Sequence, residues 1–309
     1  METLLYQGPY GIILTPYRED GAIDFDELQL QVDKVCRTSI SGLVACGSTG
    51  ECAQLSPEEN KAIMTAVAEA VGRRKDLICG ATSGDARTAV GYLEHMAGLG
   101  AVGALTAPPY YFPLNDAEVL EFYRFAAANN FGVPIVAYHI PQFSSGVSMA
   151  VYRELLGMEQ IRGIKNSSGN INYQMQMLDL RNRQRPGFSI LTGSDEALYA
   201  SLAVGGNGNF TAFAYLLPEL VSFLYEHFGK DSRSLECQLD LLPLLRFAGS
   251  FTFPVGYKAV GEARGYCFGP YRQPLSAEAQ KELDRLRPEI AAQIDALYEK
   301  YGCREVTAE

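Results

Sequence analysis

No stretch of about 18 consecutive apolar residues occurs anywhere in the chain, so no membrane-spanning helix is expected. There is no CxxC pair either. The seven cysteines, at 36, 46, 52, 79, 237, 267 and 303, are odd in number and irregularly spaced, which argues against a disulfide framework and against a cysteine-based metal site. Cys46 and Cys79 sit in apolar runs and read as small core residues. The only three histidines, at 95, 139 and 227, are dispersed, so no metal ligand set is assigned and a metal-dependent reaction is not expected; His139 reads as a core or supporting residue.

Positive charge is in deficit, 26 Lys and Arg against 36 Asp and Glu, a net charge of −10. Nucleic acid or an anionic membrane would need a clustered positive face, so neither is expected as the main partner. A small anionic substrate needs only a few local donors and stays compatible. Residues 1–11 lack the basic start and the long apolar stretch of a secretory leader. These absences together lead to the expectation of a reduced, cytoplasmic protein. No GxGxxG follows the first strand-like run, which weakens a dinucleotide-binding reading.

Apolar residues are plentiful, 47% of 309, enough for a sizeable buried core. They recur as short runs at 11–15 (GIILT), 42–46 (GLVAC), 77–82 (LICGAT), 102–106 (VGALT), 134–138 (PIVAY), 161–165 (IRGIK), 189–192 (SILT) and 208–213 (GNFTAF). Near-continuous apolarity without in–out alternation is what parallel strands covered on both faces show. Helix starts lie between the runs. Asp24 with Glu27 precedes Leu28, Val32 and Val35; Ser56-Pro57 with Glu59 forms a capping box; Asn115 with Glu118 opens a third segment.

Eight such runs alternating with helices predict an α/β (β/α)8 barrel, a TIM barrel, over residues 1–215. Strand signals stop after Tyr215, and residues 218–228, 239–247 and 277–298 look helical. Residues 216–309 are therefore expected to form a C-terminal helical extension packed on the barrel.

The active site of such a barrel lies at the C-terminal strand ends. Lys165 ends the sixth run with no flanking charge except Arg162. Desolvation disfavours a lysine's charged form, and a neutral amine can attack a ketone to give an iminium, an electron sink for carbon–carbon bond chemistry. From position alone the same lysine could instead snorkel to solvent or pair with an acid. Tyr138 ends the neighbouring fifth run, where a phenol could relay protons or simply pack. The 47–51 turn, with two hydroxyls between glycines, can turn backbone N–H groups towards a bound carboxylate.

Taken together these segments resemble the family of pyruvate-dependent class I aldolases that includes dihydrodipicolinate synthase and N-acetylneuraminate lyase. The matching signatures are GSTGE at 47–51, PYY at 109–111, YHIP at 138–141, GIKNSSG at 163–169 and GSDE at 193–196, in order and each at a predicted strand end. The match extends into the helical tail, including the 272–275 segment RQPL. The resemblance implies a covalent Schiff base on Lys165 with no other cofactor, Tyr138 as the proton relay, and Ser48 and Thr49, with Gly47, around the 2-oxo acid carboxylate. It further implies that Thr49 links Tyr138 to Tyr111, that Tyr111 reaches into a neighbouring subunit's site, and that the chain forms a homo-oligomer, a dimer of dimers. Gly193, Asp195 and Glu196 fall at positions that contact sugar hydroxyls in the neuraminate lyases, and Ser167 is also expected to bind substrate.

The departures bear on the substrate. Dihydrodipicolinate synthases carry an arginine two residues after the proline of the tyrosine motif, and here that place is Phe143. An apolar ring cannot replace a bidentate carboxylate donor. After the eighth run the serine of the lyases is Ala212, with Phe210 and Phe213 making that wall apolar. The expected activity is a lyase reaction, cleavage or formation of a 2-oxo acid from pyruvate and an aldehyde, the 2-oxo acid being a 2-keto-3-deoxy sugar acid or a related compound, with an aromatic or otherwise apolar aldehyde partner also open. Schiff-base dehydration of a keto-deoxy sugar acid, dihydrodipicolinate synthesis, and a non-catalytic 2-oxo-acid sensor stand as alternatives.

Overall fold

Eight parallel strands close on themselves in sequence order: β1 (Gly8–Ile12), β2 (Gly42–Ala45), β3 (Asp76–Gly80), β4 (Gly103–Thr106), β5 (Ile135–His139), β6 (Ile161–Asn166), β7 (Ser189–Thr192) and β8 (Gly208–Thr211). Closure is made where β8 pairs with β1, Phe210 opposite Tyr10. The helices between strands are α1 (Phe25–Cys36), α2 (Pro57–Val71), α3 (Ala86–Ala97), α4 (Asp116–Ala128), α5 (Met149–Leu155), α6 (Ile171–Gln184) and α7 (Leu198–Ala203). After β8 come α8 (Phe213–Leu216), α9 (Pro218–His227), α10 (Arg233–Gly249), α11 (Val255–Glu262) and α12 (Ala277–Tyr301). The chain is thus a TIM barrel followed by helices. This computed structural model describes residues 3–305. The outermost residues of the two expected ranges, 1–2 and 306–309, lie outside the described residues, as does the start of the segment judged not to be a leader.

The uninterrupted apolarity of the strands has a direct cause. Alternate side chains enter two separate buried clusters. Tyr10, Ile12, Val44, Ile78, Val136 and Leu191 fill the inside of the barrel, while Leu43, Cys79, Ile135, Ile164 and Ile190 pack outward with the helices. Each side chain of this size withdrawn from water contributes roughly 1.5–3 kcal/mol, so both strand faces drive closure.

The helix starts fall where the capping residues stand. The Asp24 carboxylate accepts from the Glu27 N–H, and both capping boxes, Ser56 with Glu59 and Asn115 with Glu118, are formed. Each such cap contributes about 1 kcal/mol.

The first strand lies three residues earlier than the apolar run at 11–15 predicts. Pro9, which reads as a turn, is admitted because it contributes only its carbonyl, accepting from the Ser41 N–H at 2.7 Å. Helix α11 went unread in the sequence. It is held against the β2 loop by a buried ion pair, Lys258 Nζ to Glu51 carboxylate at 2.5 Å, with Tyr17 beneath the ammonium, its ring centroid 4.4 Å away. Arg272, further along, binds Glu59 at the start of α2, also at 2.5 Å. These two bridges fix the post-barrel segment beside the strand ends.

Candidate active site

Lys165 and Tyr138 stand directly opposite each other on β6 and β5. The register that aligns them contains an irregularity. Ile135 pairs with Ile161, but Val136 pairs with Gly163, so Arg162 is skipped. Without that bulge the strand's alternation would turn Lys165 outward, beside His139; with it, Gly163 and Lys165 face inward with Val136 and Tyr138. Lys165 is only 2% exposed, so it does not snorkel to solvent, and its Nζ lies 4.3 Å from the centroid of the Tyr138 ring. The Ser167 hydroxyl donates to the Tyr138 hydroxyl at 3.4 Å.

These groups border a pocket of about 160 Å³, lined also by Ile12, Ser48, Thr49, Gly193, Asp195, Thr211, Ala212 and Tyr257. At about 30 Å³ per water molecule this is the space of roughly five waters, the scale of a small 2-oxo acid. Ser48 and Thr49 are brought there by a tight turn. The N–H groups of Gly50 and Cys52 donate to the Gly47 carbonyl, Glu51 N–H donates to Ser48, and Thr15 Oγ1 donates to the Gly50 carbonyl. Gly47 itself is buried and supports the turn; a Cβ there would meet Ile12 Cγ2 at 2.8 Å.

Asp195 adds an unusual electrostatic element. Burial pushes its carboxyl up to about 6, against the opposing influence of the Thr211 hydroxyl, nearby backbone N–H groups and Lys165. One of its oxygens is buried without a hydrogen-bond partner. His139 lies behind the site. Its Nδ1 accepts from the Val147 N–H at 2.9 Å, its ring stacks on Tyr173 at 4.6 Å, and burial lowers its pKa to about 4, so it is neutral near pH 7. Among the described residues no group of three His, Cys, Asp or Glu could hold a metal ion, and no helix is long and apolar enough to cross a membrane.

Not every residue singled out from sequence joins this pocket. Phe210 is fully buried lower in the barrel, edge-on to Tyr10 at 4.9 Å and Tyr6 at 6.2 Å; strand alternation aims it into the interior packing. Glu196 is exposed, one residue beyond Asp195. Tyr111 is 87% exposed with φ +81, its ring edge-on to Phe112. Phe143 does reach the pocket rim, where it meets Phe253, ring centroids 5.7 Å apart.

Phe253 and Tyr257 were missed in the sequence. They stand one helical turn apart at the start of α11, their rings 5.7 Å from each other. The signal available was an aromatic pair at i and i+4 flanking Pro254, but it lies after the barrel strands, where strand-end reasoning does not look.

Comparison with known proteins places the chain in a family. A family model, the dihydrodipicolinate synthetase family, matches residues 6–293. The 4-hydroxy-tetrahydrodipicolinate synthase of Methanothrix thermoacetophila is 30% identical over 295 residues, covering 94% of this chain and 98% of that protein. The solved 4-hydroxy-tetrahydrodipicolinate synthase of Methylacidiphilum fumariolicum superposes with a TM-score of 0.87 at 26% identity, covering 96% of this chain and 98% of its own. A Ruminococcus gnavus sialic acid aldolase, solved as a catalytic lysine mutant, shares the fold at a TM-score of 0.90 and 21% identity, covering 97% and 100%. The chain belongs to the dihydrodipicolinate synthetase family, a family of lyases of the class I aldolase type.

Proposed function

We propose that the chain is a pyruvate-dependent aldolase in which Lys165 forms the Schiff base. The observation that carries this reading is the pairing of a fully buried lysine with Tyr138, in register on adjacent strands, over a pocket sized for a small 2-oxo acid.

In this reading Lys165 Nζ attacks C2 of the 2-oxo acid and water leaves, giving an iminium. Tyr138 accepts the proton of the C4 hydroxyl as the C3–C4 bond breaks. The aldehyde departs, the bonding electrons enter the iminium as an enamine, and protonation at C3 followed by hydrolysis releases pyruvate. Ser48 and Thr49, on a turn whose Gly50, Glu51 and Cys52 N–H groups are committed internally, hold the carboxylate. Ser167 positions the Tyr138 hydroxyl, and Gly193 leaves room for the lysine side chain. Asp195 contacts the aldehyde-derived half of the substrate. Tyr111, exposed and aromatic, serves the site of a second copy of the chain in a homo-oligomer, which gel filtration with light scattering would test.

The test of the chemistry is borohydride reduction in the presence of pyruvate, followed by peptide mass analysis. A reduced adduct on the peptide containing Lys165 is expected. No adduct with pyruvate or larger 2-oxo acids would overturn the reading and bring the sensor alternative forward.

The names of the relatives favour a second reading, 4-hydroxy-tetrahydrodipicolinate synthesis. Phe143 opposes it, because that aldehyde partner carries a carboxylate in need of a basic donor. Complementation of a lysine auxotroph would decide for it.

A further inference from the structure

Outside the small lysine pocket lies a second, larger cavity of about 550 Å³. Ser48, Ile140, Gln142, Phe143 and Phe253 line both, so the two form one site with an inner and an outer chamber. The volume falls in the ordinary range for small-molecule sites. An aldehyde that meets a pyruvate enamine at Lys165 must lie with its carbonyl at the junction and its remainder in the outer chamber.

The chemistry of that chamber is selective. Among its lining residues there is no Lys, Arg or His. Its one carboxylate side chain, Glu51, is committed to Lys258 at 2.5 Å. Across the junction stands Asp195, a second acid that would repel an anionic partner. Several polar side chains are already spent on backbone. Gln142 donates to the Ser167 carbonyl at 2.8 Å, the Thr82 hydroxyl accepts from Ala107 N–H at 3.2 Å, and Ser144 donates to the Ile140 carbonyl at 3.4 Å. A polyhydroxylated chain would find the side chains of Ser48, Gln54, Thr252 and Gln273 as its remaining partners around the chamber, whereas a flat apolar group would meet the two phenylalanine rings directly.

Resting on the Schiff-base reading, we propose that the aldehyde partner is an uncharged aromatic aldehyde, its ring seated against Phe143 and Phe253. The reaction balances without further reagents. Enamine C3 forms a bond to the aldehyde carbon, the carbonyl oxygen takes a proton, and imine hydrolysis releases a 4-aryl-4-hydroxy-2-oxo acid. The tilted pair of rings, 48° apart at 5.7 Å, fixes the specificity; Phe143 is half exposed and Phe253 stands two residues before the start of α11. Neither ring touches the reacting atoms, so both are positioning residues.

The experiment supplies pyruvate with benzaldehyde, D-glyceraldehyde or glyoxylate in turn and measures aldol product by liquid chromatography and mass spectrometry. Benzaldehyde is expected to show kcat/KM about tenfold or more above the other two. Phe143→Ser and Phe253→Ser are each expected to raise the benzaldehyde KM severalfold, and the wild type is expected to be trapped on Lys165 by pyruvate. Equal or better use of glyceraldehyde or glyoxylate, or a benzaldehyde KM that neither variant moves, would overturn the inference. Normal trapping alongside such a result confines the failure to the aldehyde assignment. Absence of trapping in the wild type would remove the Schiff-base reading and this inference with it.

Discussion

Gly193 lies so close to Lys165 that a methyl group on it would overlap the lysine's Cε, and Oγ of Ser167 as well. The β7 end must carry no side chain for the amine to pass across the barrel mouth. Gly193→Ala is therefore expected to displace both groups at once. A shift of about 1 Å in a reacting group costs on the order of 10²-fold in rate, and overpacking costs about 1–3 kcal/mol in stability. Steady-state turnover and a thermal melt would check this; wild-type turnover would show that the lysine has another path.

Lys165 is buried, so its replacement is not structurally silent. A strand-end residue at an open mouth would be expected to contribute little to packing, but this one fills space above Tyr138. Lys165→Met and Lys165→Ala should both lose turnover. The methionine variant should be the more stable by about 2 kcal/mol or more, because it fills most of the space that alanine leaves empty. Urea denaturation of the two would settle it, and residual turnover in either would argue against the Schiff base.

The barrel could be read from sequence because both strand faces are buried, which writes strands such as 42–45 and 189–192 as plain apolar runs. The lysine and tyrosine could be read because they end two of those runs. The skipped residue that aligns them went unread, although Gly163, an isolated glycine inside a strand run, was a signal for a bulge. The depth of Phe210 was misjudged for another reason: a strand's alternation says which side a residue faces, not how far from the mouth it sits. Phe253 and Tyr257 escaped because the post-barrel helix enters the site through long-range ion pairs, Glu51 with Lys258 and Glu59 with Arg272, whose partners lie over 200 residues apart.

The first of those pairs is fully buried, and burial lowers the Lys258 pKa while Glu51 opposes the shift. Removing one partner leaves the other charge stranded, at a cost of about 3–5 kcal/mol. Lys258→Met is expected to destabilise by that amount, and Lys258→Met with Glu51→Gln by clearly less. A chemical-denaturation double-mutant cycle measures the difference. Equal losses in the single and double variants would mean that the pair acts through packing alone.

Phe143→Arg introduces the bidentate donor that the mouth otherwise lacks. With Asp195 and the paired Glu51 nearby, the new guanidinium should favour acidic aldehydes and weaken aromatic ones. The ratio of kcat/KM for glyoxylate to that for benzaldehyde is expected to rise by about tenfold or more, the value of one good charged contact. An unchanged ratio would place residue 143 outside the aldehyde's reach.

Asp195 and His139 pull stability in opposite directions with pH. The Asp195 carboxyl has its pKa raised from 3.8 to about 6, so between these values the folded state holds a proton that the unfolded chain has released. Its contribution therefore falls as pH rises through that window, by up to about 3 kcal/mol at pH 7. His139 has its pKa lowered from 6.5 to about 4, so on acidification the unfolded chain takes up a proton first. Its contribution falls as pH drops through that range, again by up to about 3 kcal/mol. The two slopes overlap between about pH 4 and 6 and largely cancel. Asp195→Asn removes one of them. That variant should match the wild type in stability near pH 4, exceed it by about 2–3 kcal/mol at pH 7, and show a steeper climb between. Urea midpoints across the range would test this, and a stability difference independent of pH would mean that Asp195 is already ionised at pH 4.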